Sequence, residues 1–104
     1  VPATIKEAPR LLFRQNNPVG QPSLSNPTTD IYLTADVGVW IGLETPITRE
    51  WQWFKDGNAI SGQTGRVYQL VSGDINASIT FKTRVQNAYG WSAWATSNAV
   101  VPVA

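Results

Sequence analysis

The most constraining stretch of this sequence is Ile79-Thr80-Phe81-Lys82-Thr83-Arg84-Val85-Gln86. Apolar and polar residues alternate strictly across it. In an extended chain alternate side chains point to opposite faces, so Ile79, Phe81, Thr83 and Val85 share one face. Thr80, Lys82, Arg84 and Gln86 share the other. A helix would scatter the same residues around its circumference. The stretch therefore reads as a strand of an antiparallel sheet, one face against a core and one face wet.

A second stretch supplies its natural partner. In Trp51-Gln52-Trp53-Phe54-Lys55-Asp56-Gly57 the two tryptophans fall on one face, and Gln52 and Phe54 on the other. Asp56-Gly57-Asn58 closes it with a turn, since Gly takes positive φ freely and Asp and Asn tolerate it. Trp53 is read as core, and its truncation to Ala should cost roughly 3 to 5 kcal/mol. Trp51 and Phe81 are read as core as well. Further strands are expected over residues 30–35, where Ile31, Leu33 and Ala35 alternate with Tyr32 and Thr34, and over residues 67–70. A last strand is expected over about residues 92–103, most clearly at Ala99-Val100-Val101. Short strands with turn signals at this spacing predict an all-β chain.

Residues 1–28 differ from the rest. They hold Pro2, Pro9, Pro18, Pro22 and Pro27, five of the seven prolines. Proline lacks a backbone donor, which disfavours a central strand. The stretch reads either as a Pro-rich arm that docks on a neighbour through Arg10, Leu11, Leu12, Phe13 and Arg14, or as an irregular first strand. Residues 29–104 form the main domain. Between two of its strands, residues 38–48 carry Val39, Trp40, Ile41, Leu43 and Ile47. A loop this apolar either lids the core or exposes a sticky tip.

Composition removes several chemistries. With no Cys and no His there is no disulfide, no thiol nucleophile and no Ser-His-Asp triad. Asp30, Asp36, Glu44, Glu50, Asp56 and Asp74 are spread singly. Asp74-Ile75-Asn76 is only a fragment of a calcium loop. No enzyme activity, cofactor or metal is expected. The net charge of +1 gives no pull toward nucleic acid. No apolar run approaches the roughly 18 residues of a membrane span, so no membrane insertion is expected. Lys82 and Arg84, with Arg49 or Lys55 beside them, read as a solvated basic stripe without an interleaved aromatic platform.

Three pieces recur in one known pattern: Trp53-Phe54-Lys55-Asp56-Gly57 followed by Ala59-Ile60-Ser61-Gly62, Asp74 at a corner, and Asn87-Ala88-Tyr89-Gly90 after the long strand. In order and spacing the chain resembles the cysteine-free immunoglobulin-like modules of bacterial surface proteins and bacteriophage virion proteins, over about residues 29–101. The resemblance implies an immunoglobulin-like antiparallel β-sandwich of about seven strands, with Trp53 on its third strand. A fibronectin type III sandwich fits less well, because its core tryptophan belongs on the second strand. Thr83 departs from the pattern, standing where relatives carry Cys or an aliphatic residue. A buried hydroxyl there needs a partner or costs roughly 1 to 3 kcal/mol.

The resemblance also implies a non-catalytic role, foremost as a virion accessory domain for capsid decoration, tail or fibre. Its partners would be other virion or surface structural proteins. The alternative is a module that binds carbohydrate or a receptor, including cell-surface glycans, or a spacer in a bacterial surface adhesin. Localisation follows: the virion surface, or else the extracellular or bacterial cell surface. Four aromatics are candidates for contact. Trp40 in the apolar connection, and Tyr89, Trp91 and Trp94 after the long strand, are expected at one end of the sandwich. Trp91 and Trp94, three apart, should point to opposite faces of a regular strand.

Overall fold

The computed structural model describes residues 1–13, 22, 31–42 and 48–103. The chain is all-β, with antiparallel sheets and one 3-10 turn at Ser72–Asp74. Its strands in order are β1 (Thr4–Glu7), β2 (Arg10–Phe13), β3 (Tyr32–Asp36), β4 (Val39–Ile41) and β5 (Thr48–Lys55). They continue with β6 (Asn58–Ala59), β7 (Val67–Gln69), β8 (Ile79–Asn87), β9 (Gly90–Trp91) and β10 (Ala95–Thr96).

The two stretches that opened the sequence argument pair along their whole length. β5 runs antiparallel to β8 from Thr48 opposite Gln86 to Lys55 opposite Ile79. β8 is buried at every second residue, Ile79, Phe81, Thr83, Val85 and Asn87, as its alternation predicts. Strand order in this sheet is β10-β8-β5-β6, with β9 also on β8. The Asp56-Gly57 turn joins β5 to β6 with φ of 49° and 84°. The second sheet has order β2-β3-β7, and a two-stranded ribbon joins β1 to β4.

The core lies between the two larger sheets. Leu11, Leu33, Ala35 and Tyr68 meet Trp53, Ile79 and Phe81 there. Trp53 has no exposed surface, and its ring lies 5.5 Å from Tyr68 and 5.1 Å from Phe81. Its indole N–H donates to Gly65 O at 2.9 Å, which satisfies the one polar atom that burial would otherwise strand. Trp51 packs half-buried against the same cluster, and its Nε1 has no acceptor among the described residues. Asp74, fully buried, accepts from the Tyr68 hydroxyl at 2.8 Å and from Val71 N at 3.0 Å. Lys55 Nζ stands 3.3 Å from its other oxygen, an ion pair without hydrogen-bond geometry. Burial, and then the Asp74 carboxylate, push the Tyr68 phenol well above its ordinary value.

The N-terminal stretch divides. Residues 4–7 and 10–13 are paired strands, and Leu11 is wholly buried between the sheets. Leu11 N also donates to Asn98 Oδ1 at 2.9 Å. The docking role expected of Leu11 is corrected on this point. Leu11, with Phe13 packed against it, is spent on this chain's own core, and Arg10 stands 3.6 Å from Asp36 in an exposed ion pair. Arg14 lies outside the described residues.

The apolar connection after β3 folds inward at its start. Trp40 is buried with Ala3, Val85 and Ala95, and its indole donates to Val37 O at 2.9 Å. Gly38 makes the fold-back fit: it has φ of 84°, and a Cβ there would lie 2.3 Å from Glu7 O. Leu43–Ile47 lie outside the described residues.

The last strand is broken where a continuous one was expected. β9 and β10 each hold two residues, and a bridge at Ile79 and Val100 follows. Two serines cause the breaks. Val85 N donates to Ser92 Oγ at 3.1 Å, and Phe81 N donates to Ser97 Oγ at 2.9 Å. Each hydroxyl stands where a backbone carbonyl would accept in a regular ladder, so the strand bulges at both points.

Candidate aromatic binding face

The outer face of the larger sheet is set by the parity of β5 and β8. Lys82 and Arg84 point away from the core. Across from them lie Gln52 and Glu50, with Phe54 opposite Thr80. Aromatic rings are interleaved with these cations. Lys82 Nζ sits 4.7 Å from the centre of the Phe54 ring. The Arg84 guanidinium sits 4.2 Å from the Trp91 ring and 4.6 Å from the Trp94 ring. This corrects the expectation of a basic stripe without an aromatic platform. Phe54 lies on this face by strand spacing, whereas Trp94 joins Trp91 here only because of the bulge at Ser92.

Ser92 explains the pairing of Trp91 and Trp94. In an unbroken strand residues three apart face opposite ways. Here Ser92 N donates to Val85 O at 2.8 Å while Ser92 Oγ accepts from Val85 N, which inserts a bulge between the two tryptophans. Both rings then reach Arg84. The expectation of opposite faces fails for that reason. Arg84 is fixed further by Glu50, whose Oε1 takes both Arg84 Nε and one terminal nitrogen. A guanidinium held by a carboxylate and two rings is a rigid support, because its planar fork loses little further freedom.

The two rings remain accessible, Trp91 at 39% and Trp94 at 45% exposure. Tyr89, 69% exposed on the β8–β9 turn, makes no ring stack with them among the described residues. Trp40 does not join the group. It packs on Val85, whereas the pair stacks on Arg84, the next residue of β8 and so on the opposite face. Of the four expected contact aromatics, the structure brings together Trp91 and Trp94 only.

Beside Trp94 runs an open groove of about 530 Å³, lined by Glu50, Gln52, Phe54, Thr64, Arg84 and the exposed edge of β5 at Arg49 and Trp51. That volume lies within the range of small-ligand sites. Gln52 stiffens its floor: its side-chain amide donates to the carbonyls of Trp53, Ile60 and Gln63, at 2.8 to 3.1 Å. The second oxygen of Glu50 accepts no bond among the described residues. The groove thus offers a ring face, a carboxylate acceptor and a threonine hydroxyl. No three of His, Cys, Asp and Glu gather as metal ligands among the described residues, and no helix there is long and apolar enough to cross a membrane.

Compared with known proteins, the chain matches no family model, no curated protein and no solved structure.

Proposed function

We propose that this chain is a non-catalytic, immunoglobulin-like binding module, displayed on a virion or cell surface, that holds a surface sugar beside Trp94. Supporting the immunoglobulin-like sandwich are the strand order β10-β8-β5-β6 facing β2-β3-β7 and Trp53 at the centre of the core. The virion or surface setting rests on the motif resemblance. The binding reading is carried by one observation: Trp91 and Trp94 are held half-exposed, both rings against an immobilised arginine.

The chemistry suits a pyranose. A sugar ring presents an apolar C–H face that lies flat on an indole, while its hydroxyls need acceptors and donors at the rim. Trp94 supplies the first, and Glu50 and Thr64 supply the second. Rigid aromatics lose little entropy on contact, which favours weak, repeated binding of the kind a many-copy surface module uses. The arm-docking alternative loses support, since Leu11 is committed to the core. Surface binding to immobilised glycans tests the proposal. Trp94→Ala should abolish binding and Trp91→Ala should weaken it, while Tyr89→Ala should leave it unchanged. Equal binding by all three variants would end the sugar reading.

A further inference from the structure

Among the described residues, the second side of β5 is uncovered at Arg49 and Trp51, and its geometry carries an inference separate from the tryptophan face. β6 covers β5 only at Phe54 and Lys55. Hydrogen-bond parity shows where the remaining backbone groups point. Phe81 exchanges bonds with Ser97 and Val85 with Ser92, so both turn away from β5. Their partners on β5, Trp53 and Arg49, therefore turn away from β8, and Trp51 between them does the same. At Trp53 that outward side is satisfied: Trp53 N donates to Gln63 O at 3.0 Å, and Ile60 N donates to Trp53 O at 2.9 Å. At Arg49 and Trp51 no partner is present among the described residues.

We propose that the open edge of β5 at Arg49–Trp51 takes an extended acidic peptide segment of a partner protein by strand addition. An edge with outward N–H and C=O groups is a template for another strand. Charge selects the occupant. Arg49 is exposed and has no ion-pair partner among the described residues, whereas Glu50 is paired with Arg84 through one oxygen. A carboxylate on the added strand meets that unpaired cation.

A second copy of this chain is a poor occupant in the antiparallel registers centred on Arg49, Glu50 and Trp51. Pairing about Arg49 sets Arg49 against its own copy. Pairing about Glu50 sets Glu50 against its own copy. Pairing about Trp51 runs the copy into the 60–63 segment already bonded to Trp53. Like charges directly opposite each other destabilise a ladder.

Amide hydrogen exchange and peptide titration by two-dimensional NMR test the proposal on the full chain. In the free chain the amides of Arg49 and Trp51 should exchange fast while those of Glu50 and Gln52 are protected. Protection of all four would show the edge to be covered and would overturn the proposal. The probes are the blocked peptides TVEVTV and TVKVTV. The first should shift the Arg49 and Trp51 amides, and the second should bind about fivefold more weakly. Arg49→Pro removes one outward donor without touching the β8 ladder, and should abolish binding while the melting curve stays cooperative. Arg49→Gln should keep binding and lose the preference for Glu. Undiminished binding to Arg49→Pro, or concentration-dependent dimerisation that protects the edge, would overturn the proposal. Trp94→Ala should leave peptide binding intact, which separates this edge from the sugar face.

Discussion

Thr83 offers the sharpest energetic test of this structure. Its side chain is 1% exposed, between Trp51 on β5 and Ala95 on β10. Its Oγ1 has no hydrogen-bond partner among the described residues. Leaving a buried hydroxyl unsatisfied costs about 1 to 3 kcal/mol. Valine has nearly the same shape and puts a methyl where the hydroxyl is, so Thr83→Val should stabilise the chain, by roughly 1 to 2 kcal/mol after small repacking losses. For a chain of 104 residues that is an increase in Tm of roughly 5 to 9 °C. Urea denaturation followed by tryptophan fluorescence is the assay, with the midpoint moving up and the slope unchanged. Thr83→Ser separates hydroxyl from volume: it keeps the unsatisfied oxygen, removes a methyl, and should destabilise. A loss of stability in Thr83→Val would mean the hydroxyl is partnered, and would refute the reasoning.

Two further perturbations follow from the same hydrogen-bond accounting. Ser92→Ala removes the acceptor of Val85 N, should cost about 1 to 3 kcal/mol in urea denaturation, and should loosen the Trp91–Trp94 pair, seen as weaker glycan binding even where the chain stays folded. Tyr68 has its folded pKa raised above the roughly 10 of an unfolded chain. Its contribution is therefore full below pH about 10 and is lost as pH rises above that, because only the unfolded state releases the proton there. Thermal melts between pH 8 and 11 should show a falling Tm in the parent chain and a flatter limb in Tyr68→Phe.

Much of the β architecture was legible because period-2 patterning is a strong local signal. Ile79 to Val85 and Ile31 to Ala35 alternate cleanly, and the structure buries the faces that the alternation marks. What was not legible depended on single side chains replacing backbone groups. Nothing in the spacing of residues 92–103 says that Ser92 and Ser97 accept bonds from β8, yet those two hydroxyls break the strand and turn both tryptophans to one side. The contact of Trp94 with Arg84 was hidden likewise, since Trp94 comes from the far side of that bulge. Trp40 was ambiguous for a different reason. An apolar residue in a connection is either buried or sticky, and only the pairing of β4 with β1 places it inward. Leu11 resolved in the same way, through its pairing opposite Ala35.

The most direct test of the binding face is the spectrum of the five tryptophan indole N–H groups during titration with a panel of neutral and acidic glycans. The account predicts that the Trp94 and Trp91 signals move with a bound glycan, while those of Trp40 and Trp53 stay in place. A glycan that moves Trp40 and leaves Trp94 unmoved would contradict it, as would a panel that moves none.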